Sequence, residues 1–215
     1  MHAIVKRVKW VVKNHRYRSQ LQRRVQVCFP NQLETWDLLM SLIDIVSETH
    51  DKGLRDDGDL LKSHEYGMFA IALVYCGIRD VPTLVAILLH DMYEDYPEVW
   101  SLYIIAEKYG QEVADIVFAV TKPDKAKYGS RAEHDEAIFA RVRAGGIKAM
   151  VVKCIDRLHN MLTLYGSDKK RERKVYQTIE HVLSISTECK TLRLELMLAT
   201  SEQLQLLKPA VIGTV

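Results

Sequence analysis

Apolar positions along most of this chain recur at three- and four-residue spacing, the period of helices rather than strands. Leu33, Trp36, Leu39, Met40, Ile43 and Val46 predict a helix running to about His50, with Asn31 as its cap. Residues 51–59 are polar and punctuated by glycine, and predict a loop. A helix over about 63–76 carries His64 in its first turn and ends at Gly77. Asp80 and Pro82 open the next, which holds the apolar run Leu84–Leu89 and is bounded by Pro97. Two more helices, over 102–109 and 112–121, are parted by Gly110, and residues 122–132 read as a basic loop. A helix over about 133–143 breaks at Gly145-Gly146, and residues 147–165 form another. Lys169–Lys174 predicts a solvated loop or the start of a helix, followed by helices over about 175–189 and 191–207. The expected fold class is all-α.

Residues 1–24 depart from this pattern. They carry Lys6, Arg7, Lys9, Lys13, Arg16, Arg18, Arg23 and Arg24, and the first acidic residue is Glu34. Their apolar positions fit neither period cleanly, and the valine content points to a short β-hairpin. We therefore divide the chain into a basic N-terminal extension, 1–30, and a helical domain, 31–210. The extension predicts either a surface packed on the core or contact with an acidic partner or nucleic acid through residues 1–24.

Composition narrows the function. The net charge of +2 excludes a generally basic, polyanion-coating protein. Cys28, Cys76, Cys154 and Cys189 are scattered without metal-binding or disulfide-framework spacing, and read as reduced, mostly buried thiols. No leader pattern and no long apolar run is evident, so a soluble, cytoplasmic protein is expected.

The candidate chemistry lies where the apolar run ends in His90-Asp91-Met92-Tyr93-Glu94-Asp95. On a helix, His90, Asp91, Glu94 and Asp95 share one face, and so many charges at a buried end call for a cation among them. His64 and Asp156 offer further donors from other helices. Two imidazoles and two carboxylates without a thiolate suit Mn²⁺, Fe²⁺ or Mg²⁺ better than zinc. Asp156, Asn160 and Thr163 stand at i, i+4 and i+7, forming a polar stripe. His159 reads as a structural residue that orients its neighbours, whereas His50 and His134 read as exposed.

These motifs, with Tyr109-Gly110-Gln111-Glu112-Val113-Ala114, Val120-Thr121-Lys122 and Lys153-Cys154-Ile155-Asp156-Arg157-Leu158-His159-Asn160-Met161, resemble the HD-domain metal phosphohydrolases over roughly residues 48–166. More narrowly they resemble the hydrolase domain of the Rel/SpoT alarmone enzymes and the small alarmone hydrolases. The resemblance implies an HD-domain helical bundle and one Mn²⁺ ion held by His64, His90, Asp91 and Asp156. It implies that Glu94 and Asp95 activate the attacking water, and that Arg55, Asn160 and Thr163 hold a guanosine nucleotide. The implied reaction removes the 3′-pyrophosphate of (p)ppGpp.

Three places differ from the family. Arg55-Asp56-Asp57-Gly58 stands for Arg-Lys-Ser-Gly, Glu65 for a proline, and Leu61-Lys62-Ser63 precedes His64 where Tyr-Ile is usual. The two added carboxylates repel a pyrophosphate, which motivates an alternative substrate such as an adenosine alarmone or another 3′-phosphorylated nucleotide. A binding or antitoxin-like protein on the same scaffold is the alternative of a different class.

Overall fold

The computed structural model describes residues 2–50, 53–55 and 58–207. The departure at Asp56-Asp57 lies outside the described residues. The chain is all-α: among the described residues the one β feature is a single antiparallel bridge between Leu54 and Leu60.

Helix α5, Val81–Asp95, is the central element. Asp80 caps it by accepting a 3.0 Å bond from the Thr83 amide, and Pro82 lies in its first turn, where a missing N–H is harmless. Every residue from Thr83 to His90 is buried. Around it lie α3 (Leu33–Thr49), α4 (Lys62–Ala70), α7 (Gln111–Val120) and α9 (Gly146–Leu162). The helices α6 (Leu102–Tyr109) and α8 (Arg131–Ala144) cover α7. Helices α10 (Asp168–Gln177) and α12 (Lys190–Leu207) pack on each other, and α12 also packs on α9. Between them the chain runs through a π-helical turn, Thr178–Val182, the short helix α11 (Leu183–Ile185) and a 3₁₀ turn, Ser186–Glu188.

The N-terminal residues are not a hairpin. They form α1 (Ala3–Lys13) and α2 (Arg18–Cys28). Val5, Val8 and Val11, three apart, are buried, with α1 packed against α4 and α12. Burying that valine stripe outweighs the modest preference of branched side chains for strands. Three of the basic residues meet carboxylates of the body. Arg16 pairs with Asp59, Arg18 Nη2 donates to Asp44 Oδ2 at 2.7 Å, and Lys9 Nζ lies 3.8 Å from Glu202.

Of the smaller expectations, the cap of α3 changes. Asn31 adopts a left-handed backbone, φ 63°, and Gln32 rather than Asn31 occupies the cap position of α3. The charge run 169–174 is helical because Ser167 caps α10 by accepting from the Lys170 amide. All four cysteines are free: Cys154 and Cys189 are buried, Cys28 and Cys76 half-buried. Among the described residues no helix is long and apolar enough to cross a membrane.

Candidate metal centre and its cavity

Three helices deliver the cluster. His64 lies in the first turns of α4, His90 near the end of α5 and Asp156 in α9. One ligand-competent atom from each lies within 4.8 Å of the others. His64 Nε2 is 3.3 Å from Asp156 Oδ1, and Asp91 brings its Oδ2 to 3.8 Å from the same nitrogen and its Oδ1 to 3.1 Å from His90 Nε2. The structure thus brings all four expected donors together.

The rings are held in fixed orientations. His90 Nδ1 donates to the Ile87 carbonyl at 2.8 Å, a last-turn backbone partner that leaves Nε2 as the lone-pair atom facing the cluster. Nε2 is buried without a hydrogen-bond partner. His64 Nδ1 lies 2.9 Å from Nδ1 of buried His159, so one ring must donate and the other accept. If His64 is to offer a lone pair at Nε2, its proton sits on Nδ1 and His159 accepts it. His159 suits acceptance. Burial, aided by the positive neighbours His64 and Arg55, pushes its pKa well down and keeps it neutral.

The charges show what the cluster lacks. Burial disfavours a charged His90, yet Asp91 and Asp156 outweigh it and push the imidazole up to about 9. Burial also opposes ionisation of Asp156, but Lys153, His64 and His90 hold its carboxyl well below the usual range. Lys153 Nζ sits 2.9 Å from Asp156 Oδ2. Carboxylates this close, with an orphaned imidazole nitrogen aimed among them, fit a divalent cation.

The cluster floors a cavity of about 320 Å³. Glu94 lines it and pairs with Lys122, whereas Asp95 is exposed and not among the lining residues. Asp95 still senses the site. Burial first, then Asp91 and Glu94, raise its carboxyl pKa. Arg55 Nη2 donates to Asn160 Oδ1 at 3.3 Å, and Asn160 Nδ2 to Asp156 Oδ1 at 2.5 Å, so the arginine, the asparagine and the metal donor form one chain. Thr163 caps the end of α9, its hydroxyl donating to the His159 carbonyl, and lines two neighbouring cavities but not this one.

Residues 43–184 match the HD domain family. The chain belongs to the HD domain family. Among relatives, it is 33% identical over 153 residues to a probable GTP pyrophosphokinase of Mycobacterium leprae, spanning 69% of this chain and 19% of that protein. It is 30% identical over 153 residues to the bifunctional (p)ppGpp synthase/hydrolase SpoT of Escherichia coli K12, spanning 66% of this chain and 21% of that protein. The chain thus covers about a fifth of the length of these curated relatives. A solved structure described as a metazoan orthologue of SpoT that hydrolyses ppGpp and plays a role in starvation responses shares the fold. Its TM-score is 0.66 at 20% identity, over 77% of this chain and 94% of that one.

In this HD domain the sequence left out a second set of residues. Lys153, Arg157, Arg173 and Lys174 line the same cavity as the carboxylates, together with Lys122, Lys125 and Arg131. Arg157 is buried and donates to the Lys174 carbonyl, Thr178 and Gln177. Burial, then the nearby Arg157 charge, brings the Lys174 ammonium down to about 7. Arg173 and Lys174 were hidden in a charge run whose helical phase cannot be read without its packing partner. Lys153 and Arg157 flanked Asp156 in plain view, but a cation beside a metal donor carries no sequence signature of its own.

His50 and His134 are buried, not exposed. His134 Nε2 bonds to the Pro123 carbonyl at 2.9 Å. His50 Nδ1 lies 2.9 Å from Glu65 Oε1, and both side chains are 1% exposed. The family-atypical Glu65 therefore has a buried partner. Burial works against a charged His50, but Glu65, Asp91 and Asp95 outweigh it and raise its pKa. Stability from this pair is accordingly full below the ordinary histidine value and fades as pH rises through the raised one. Glu65→Leu alone strands His50 and is expected to cost about 3 kcal/mol, whereas His50→Leu with Glu65→Leu recovers most of it, by chemical denaturation. A double-variant loss equal to the sum of the losses in Glu65→Leu and His50→Leu would show that the pair is not coupled.

Proposed function

We propose that this HD domain is a metal-dependent hydrolase that removes the 3′-diphosphate from guanosine 3′,5′-bis(diphosphate), returning GDP and pyrophosphate. The observation that carries the reading is the pairing of the His64, His90 and Asp156 cluster, with Asp91 against both imidazoles, with a cavity lining rich in cations. The naming of the relatives supports the choice of substrate. His64, His90, Asp91 and Asp156 would hold one divalent ion, and Mn²⁺ suits their mixed nitrogen and oxygen donors. Such an ion supplies Lewis-acid stabilisation of a phosphoryl oxygen and lowers the pKa of water.

The chain's own groups do the rest. Glu94 and Asp95 accept the proton of the attacking water, Glu94 being held in place by Lys122. Water adds to phosphorus, the bond from phosphorus to the ribose 3′ oxygen breaks, and that oxygen leaves with the proton that the Glu94–Asp95 pair took from the water. Lys153, Arg157 and Lys174 face the anionic diphosphate, where charge-assisted bonds orient it. Arg55 offers its guanidinium face to the purine, and Asn160 and Thr163 contact the nucleoside.

Purified protein given Mn²⁺ and ppGpp is expected to release pyrophosphate. Glu94→Gln and Asp95→Asn should each lower the rate about 10²-fold or more with unchanged circular dichroism. Retained turnover in Asp95→Asn would remove that residue from the mechanism. Chromatography of products from adenosine and other 3′-phosphorylated nucleotides tests the alternative substrate, and a faster adenosine reaction would replace guanosine in this account.

A further inference from the structure

The basic face of α1 is only partly neutralised, and its end borders a cavity of about 270 Å³ that shares Arg55 with the metal-centre cavity. Lys9, Lys13 and Arg16 form one wall and Arg55 another, while His159, Leu162 and Thr163 of α9 and its C-cap close the inner side. Asp59 is the one carboxylate among the described lining residues. Arg55 is held by its own amide donating to the Asp59 carbonyl at 2.7 Å, and its neighbour Gly53 accepts from the Leu61 amide at 2.9 Å.

Arg55 lines this cavity, the metal cavity and a third one that also holds Leu54, Leu61, Asn160, Leu164 and Tyr165. A nucleoside resting on Arg55 and Asn160 therefore borders the metal-centre cavity, an apolar wall and, through Arg55, a second cationic cavity. We propose that this second cavity, built by α1, receives the 5′-phosphates of the nucleotide. The inference rests on the nucleotide reading above. It gives the N-terminal extension a role in recognising the nucleotide end that does not react. A 5′-diphosphate meets there Lys9, Lys13, Arg16 and Arg55 against Asp59 and the Lys9 partner Glu202, a smaller but still net attraction that screening weakens.

The test is calorimetric binding of GDP and of guanosine to the full chain, which needs no turnover. Lys13 is exposed, so Lys13→Ala leaves the fold and the metal centre untouched. It is expected to weaken GDP about three- to fivefold and leave guanosine unchanged, while Asp59→Asn tightens GDP by a similar factor. Absence of GDP binding, equal effects on GDP and guanosine, or a loss confined to Lys170→Ala, which lines the third cavity, would overturn the proposal. Failure of ppGpp turnover with these GDP results intact would strike the hydrolase reading instead.

Discussion

Asp156→Asn is expected to abolish turnover, by about 10³-fold or more, which corresponds to about 4 kcal/mol of barrier. The amide keeps the shape of the side chain but removes the charge on which the site is centred. In the native protein that carboxylate lies 3.3 Å from His64 Nε2 and 2.9 Å from Lys153 Nζ, and accepts from Asn160 at 2.5 Å. The asparagine variant has one anionic donor fewer, and the buried Lys153 ammonium is left facing a neutral group. Ion content by elemental analysis should fall together with activity, and circular dichroism should show the helices retained. The variant should also lose part of its acid sensitivity. A carboxyl whose folded pKa is depressed stabilises above its unfolded value, near 4, and loses that contribution as pH falls through the folded one. A variant that keeps its ion and more than a tenth of the native rate would remove Asp156 from the centre.

Gly67→Ala is expected to be severely damaging although it adds a single carbon. A Cβ at Gly67 would stand 2.1 Å from His159 Nε2 and 2.3 Å from its Cδ2. These are ring atoms of a buried side chain, anchored by the 2.9 Å contact with His64, so the ring cannot swing aside without releasing a metal donor. Overpacking of this kind costs about 3 kcal/mol, which for a chain of this length lowers the melting temperature by about 10 °C. Turnover should fall as well, because His64 loses the partner that fixes its tautomer. Adding His159→Ala should restore part of the stability and none of the activity. An unchanged melting temperature for Gly67→Ala would mean that His159 is free to move, and the orientation argument for His64 would fail with it.

The candidate metal donors were legible because each sits in a helix whose period is plain in the sequence, and because His90-Asp91 ends an uninterrupted buried run. Spacing alone could not say that His64 and Asp156 meet them, and here the ordered motifs supplied what local pattern lacks. The N-terminal helices were misread for a local reason. Val5, Val8 and Val11 share a face only against α4 and α12, elements distant in sequence. Burial of His50 was hidden for a similar reason: it follows a predicted helix and precedes a polar loop, and only its pairing with Glu65 draws it inward. Lys174 and Arg173 looked like solvated charge, and they reach the cavity because α10 begins earlier than its apolar residues suggested.

The account depends on His64, His90, Asp91 and Asp156 holding one divalent ion beneath the cationic wall. Anomalous X-ray scattering at the manganese edge from crystals grown with Mn²⁺ tests this most directly. One peak per chain within bonding reach of all four side chains is the predicted result. A peak bound elsewhere, or none at these residues under saturating Mn²⁺, would contradict it.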